Sequence, residues 1–99
     1  HKAYPHDIEK SIMEETDITE CVVVNAEVKG QQLLCCLFVG NSELRNGIIP
    51  KLKSKLLAYE IPKVFICCDK LTRTSNGKIA KTMMVEKINQ YFADNKNKI

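Results

Sequence analysis

An α+β domain, in the order αββαβα around a three-stranded sheet, is predicted by three features of the chain. Two runs rich in β-branched and apolar residues, Cys21–Val28 and 33–39, are separated by the turn-forming Lys29-Gly30-Gln31-Gln32. A third such run, 64–67, follows Pro62 only after a stretch with apolar residues four apart, the pattern of a helical crossover. Helical patterns flank the whole, and 99 residues with 44% hydrophobic and 27% charged side chains suit one small globular domain.

The first helix is expected to start at Tyr4-Pro5-His6-Asp7-Ile8-Glu9, because proline tolerates the first turn and the acids at 7 and 9 complement the helix N-terminus. Ile8 and Ile12 lie one turn apart, and the helix should stop near Thr16-Asp17. Both hairpin strands are apolar at nearly successive positions, which predicts a sheet covered on both faces over part of its area. After Gly40-Asn41, Ser42 is the expected cap of a helix carrying Leu44, Ile48, Leu52 and Leu56. Pro50 would remove the bond to the Asn46 carbonyl, so a kink or broken first turn is expected, with solid helix over 50–58. The last helix, 79–93, places Met84, Ile88, Tyr91 and Phe92 on one face. Residues 93–99 are read as a frayed polar tail.

The net charge of +3 is unevenly spread: residues 1–30 sum to −4 and residues 45–99 to +8. A basic field of this kind suits either the phosphates of a ligand or a solvated lysine-rich surface. Five cysteines, Cys21, Cys35-Cys36 and Cys67-Cys68, form no CxxC pair, so no metal site is predicted. Neighbours on a strand face opposite ways, which sends one thiol of each pair to each side of the sheet. Small buried thiols in a reducing compartment fit this pattern and point to a cytoplasmic location. No apolar run approaches the ~20 residues of a membrane helix, and no signal-peptide core is seen, so a soluble chain without a membrane span is expected.

Chemistry is concentrated in Leu71-Thr72-Arg73-Thr74-Ser75-Asn76-Gly77-Lys78-Ile79, a polar loop of small residues presenting one lysine ahead of a helix. A P-loop is excluded, since Thr72 and Ile79 stand where that motif needs glycine and Ser or Thr. A loop lysine is most commonly just solvated. One fixed by an Asn-Gly turn can instead deliver positive charge to a developing phosphoryl or acyl centre.

Together with Leu57-Ala58-Tyr59-Glu60-Ile61-Pro62-Lys63 and the following strand, this loop resembles the C-terminal domain of the adenylate-forming superfamily. That superfamily comprises AMP-forming acyl-CoA synthetases, peptide-synthetase adenylation domains and luciferases. Tyr4-Pro5-His6-Asp7-Ile8-Glu9 resembles the helix start of the same domain, so the likeness spans essentially the whole chain, 1–99. Two departures stand out: Thr72 replaces the usual proline, which should loosen the loop, and Ala80-Lys81 replaces the common Asp-Arg.

The resemblance implies a mobile lid on a large N-terminal domain of the same enzyme, a domain absent from this sequence. The enzyme would be an acid–thiol ligase: ATP with Mg activates a carboxylic acid as acyl-AMP, pyrophosphate leaves, and CoA or the phosphopantetheine of an acyl carrier protein then takes the acyl group. Lys78 would be the catalytic residue of the first step, and Arg73, Thr74, Asn76 and Gly77 the loop contacting substrate and nucleotide. The Tyr4-Pro5 pairing points toward fatty or other acyl-CoA ligases, with carrier-protein loading as the alternative. The isolated domain is expected to be inactive. A stand-alone binding module for nucleic acid is the reading from another class; the scattered aromatics lack the stacking pattern it requires, so no nucleic-acid partner is expected.

Overall fold

The computed structural model describes residues 3–94. Helix α1 runs from Pro5 to Glu15, with proline at its first position and Asp7 in its first turn. Thr16 ends it: its hydroxyl donates to the Ile12 carbonyl at 2.6 Å and accepts from the Ile18 N–H at 3.2 Å. Strands β1 (Cys21–Val28) and β2 (Gln31–Val39) form an antiparallel hairpin. Its two-residue turn places Lys29 at φ 52° and Gly30 at φ 81°; two successive positive φ values match the right-handed twist of the strands. Strand β3 (Val64–Cys68) lies parallel to β2, giving the order β1-β2-β3.

Both faces of the sheet are buried. On one, α1 and α2 (Ile48–Lys53) cover Val23, Cys36, Phe38 and Phe65 with Ile8, Ile12, Ile48 and Leu52. On the other, α3 (Lys81–Asp94) sets Met84, Ile88 and Phe92 on Val22, Val24, Cys35, Leu37 and Ile66. The cysteine doublets divide as strand alternation requires: Cys36 and Cys67 face the α1 side, Cys35 and Cys68 the α3 side. The side chain of Arg45 reaches the Phe65 carbonyl on β3 at 3.4 Å. On the opposite edge, the buried carboxylate of Glu9 accepts the Val23 N–H at 2.7 Å. Charged side chains thus occupy outward-facing backbone groups on both edge strands, which discourages further strand pairing.

Three expectations need correction. The crossover is more broken than predicted: a 3₁₀ turn over Ser42–Arg45 is capped not by Ser42 but by Asn41, whose side-chain oxygen accepts the Glu43 N–H at 2.9 Å. Gly47 then takes a left-handed conformation, φ 69°, and α2 spans six residues rather than 50–58. Pro50 is accommodated in its first turn, where an N–H has no acceptor within the helix. The last helix starts at Lys81, not Ile79, because Ile79 is bridged to Arg73. Finally, α3 runs through Asp94, one residue past the expected helix end at Ala93; the remainder of the proposed tail, 95–99, lies outside the described residues.

Candidate functional site

Residues 72–80 form a small hairpin between β3 and α3. The Ala80 N–H donates to the Thr72 carbonyl at 2.8 Å, and the Thr74 N–H donates to the Lys78 carbonyl at 2.6 Å. At the tip, the Gly77 N–H donates to the Thr74 carbonyl at 2.9 Å, and Gly77 has φ 83°. A turn closed by a left-handed glycine is a standard way to join short antiparallel arms. The hairpin closes without the proline that Thr72 replaces. Its roots are fixed by buried Leu71 and partly buried Ile79, both in the α3-side core.

Lys78 follows the left-handed glycine, so its position is set by hydrogen-bonded backbone while its side chain is exposed. Residues 70–81 contain Lys70, Arg73, Lys78 and Lys81 and no acid. Among the described residues Lys78 makes no ion pair. Arg73 is differently placed: one guanidinium nitrogen lies 2.6 Å from a carboxylate oxygen of Glu20, and the other donates to the Gly77 carbonyl at 3.1 Å. Thr74 and Asn76 are exposed at the turn. The hairpin therefore gathers Arg73, Thr74, Asn76, Gly77 and Lys78 within one turn of backbone.

Glu20 was not anticipated. It lies 53 residues from Arg73 in sequence, and no local spacing signals such a pair. His6 is 88% exposed, with Nδ1 3.4 Å from Glu9, and is remote in sequence from the hairpin. A groove of about 580 Å³ beside the start of β3 is lined by Tyr4, Asn25, Leu34, Tyr59 and Lys63; none of the predicted site residues lines it. Among the described residues no three His, Cys, Asp or Glu side chains converge to hold a metal, and no helix is long and apolar enough to cross a membrane.

Residues 7–78 match the family described as AMP-binding enzyme C-terminal domain, a match that ends on Lys78. Gramicidin S synthase 2 of Brevibacillus brevis is 34% identical over 82 residues, covering 81% of this chain and 2% of that protein. A fatty acyl CoA synthetase from Mycobacterium tuberculosis superimposes with a TM-score of 0.77 at 23% identity, over 88% of this chain and 18% of its own. ATP-bound MatB from Rhodopseudomonas palustris gives 0.75 at 21% identity, over 88% and 18%. The chain thus spans a small fraction of each protein it resembles.

Proposed function

The chain belongs to the AMP-binding enzyme C-terminal domain family of adenylate-forming ligases, and we propose that it is the lid of a larger acid–thiol ligase, delivering Lys78 to the adenylation step. The observation that carries this reading is the contrast on the hairpin: Arg73 is paired with Glu20, while the Lys78 ammonium is exposed and unpaired among the described residues.

In the proposed first step, a carboxylate oxygen bonds to the α-phosphorus of ATP, the bond to the β-phosphate oxygen breaks, and pyrophosphate leaves with its electron pair. Negative charge concentrates around the α-phosphoryl group. An ammonium held there by fixed backbone stabilises that charge without reorganising, and does so more strongly once a closed lid excludes water. Gly77 gives the backbone its turn, and Thr74 and Asn76 offer short polar contacts beside it. Mg and the pockets for adenine and the acyl group would belong to the N-terminal domain in this reading.

In the second step a thiol attacks the acyl carbonyl and AMP leaves. CoA is the proposed acceptor, with which the acyl-CoA synthetase likeness agrees. The peptide-synthetase relatives support a second reading, in which a carrier-protein phosphopantetheine takes the acyl group. ATP chemistry and five free cysteines among the described residues fit a reducing cytoplasm.

The test is acid-dependent exchange of labelled pyrophosphate into ATP by the complete polypeptide containing this segment, across a panel of fatty, aromatic and amino acids. Exchange with one acid class, followed by transfer to CoA, is expected. Transfer to a carrier protein alone would select the second reading, and no exchange with any acid would contradict both.

A further inference from the structure

We propose that Arg73 and Glu20 form a latch that sets the aim of Lys78, with Arg73 acting as a positioning residue rather than a nucleotide contact. This deepens the adenylation reading of Lys78 and rests on it.

Arg73 engages two acceptors at once. Its Nη1 donates to the Gly77 carbonyl at 3.1 Å, and that carbonyl belongs to the peptide unit whose nitrogen is that of Lys78. The guanidinium therefore holds the peptide plane from which Lys78 departs. Its Nη2 is 2.6 Å from Glu20 Oε2. Glu20 itself is tied to the sheet, since its carbonyl accepts the Val39 N–H at 3.0 Å. The chain of contacts runs from the rigid sheet through Glu20 and Arg73 to the peptide bearing the lysine.

Two physical points favour this role over a phosphate contact. A planar guanidinium presents donors in a rigid fork and can hold two acceptors in fixed relation, which an ammonium cannot do. Glu20 also neutralises Arg73, leaving Lys78 as the uncompensated cation of residues 73–79. The Arg73 and Glu20 side chains are 47% and 39% exposed, so the pair adds little to global stability. Its effect falls on orientation, where small misplacement of a reacting charge is costly.

The experiment compares Glu20→Gln, Arg73→Ala, the double variant and Lys78→Ala in the complete enzyme. It measures kcat and the ATP KM of adenylation, thiol transfer from supplied acyl-adenylate, and melting temperature. The latch predicts that each single variant lowers adenylation kcat about tenfold and that the double variant is no worse than the worse single. The ATP KM should stay within about twofold, with thiol transfer and melting temperature near parental. Arg73→Lys, which keeps the charge and loses the fork, should fall between parent and Arg73→Ala. A raised ATP KM in Arg73→Ala but not in Glu20→Gln would overturn the latch in favour of direct contact. Parental adenylation in Glu20→Gln beside a selective loss in Lys78→Ala would overturn the latch alone. Parental adenylation in Lys78→Ala would overturn both the latch and the reading beneath it, and equal loss of both half-reactions in the latch variants would reduce the pair to a structural contact.

Discussion

Arg73 and Glu20 meet at 2.6 Å across 53 residues of sequence, and the same guanidinium holds the carbonyl of Gly77 at 3.1 Å. The hairpin bearing Lys78 is thus braced from its side as well as from its buried roots. That bracing works only if Gly77 keeps its left-handed conformation.

Gly77→Ala isolates this requirement, because a methyl group at that position meets no atom within 4 Å and φ is 83°. The cost is backbone strain alone, about 1–2 kcal/mol. Urea denaturation should show a loss of that size, and Gly77→Asn, which tolerates the left-handed region better, a smaller one. An unchanged stability in Gly77→Ala would mean that the tip relaxes into another turn.

Glu9 offers a second test. The residue is 8% exposed, and its side chain accepts the Val23 N–H on edge strand β1 at 2.7 Å. Glu9→Leu leaves that buried donor without an acceptor and should destabilise the domain by about 1–3 kcal/mol. Glu9→Gln retains a carbonyl oxygen and should lose less than half as much in the same denaturation series.

The buried thiols predict a dependence on alkaline pH. Burial pushes the Cys35 thiol up from 9.0 to about 11. Cys36 moves the same way, through its hydrogen bond with Cys21 and burial, and burial also raises Cys68. An unfolded chain therefore releases these protons at lower pH than the folded one. Their contribution to stability is present below about 9 and is lost as pH climbs toward 11. Denaturation midpoints should fall across that window. At pH 8, native Cys35 should resist iodoacetamide until the chain unfolds, since the thiolate is the reactive form.

Much of this fold is visible in the residues themselves. The β-branched run ending at Val28 and the Lys29-Gly30 turn define a strand and its hairpin, and the adjacent cysteines already imply a sheet buried on two sides. The crossover was harder to read. Leu44, Ile48, Leu52 and Leu56 keep a four-residue spacing, yet Gly47 in the left-handed region interrupts the helix that the spacing implies. Periodicity reports which side chains face the core and is satisfied equally by short turns laid end to end. Ile79 misled for a related reason: it reads as the first apolar residue of a helix, but its backbone is bridged to Arg73. The loop and its lysine stood out because small polar residues around Asn76-Gly77 mark a tight turn. Glu20 did not, because a long-range ion pair leaves no spacing to detect.

Lys78 is proposed to act in the adenylation step. In the complete enzyme, Lys78→Ala should lower acid-dependent ATP–pyrophosphate exchange by about 10²–10³, while thioester formation from supplied acyl-adenylate stays close to the parental rate. Equal loss of both half-reactions, or no loss of the first, would contradict a lysine held out on this hairpin for adenylation.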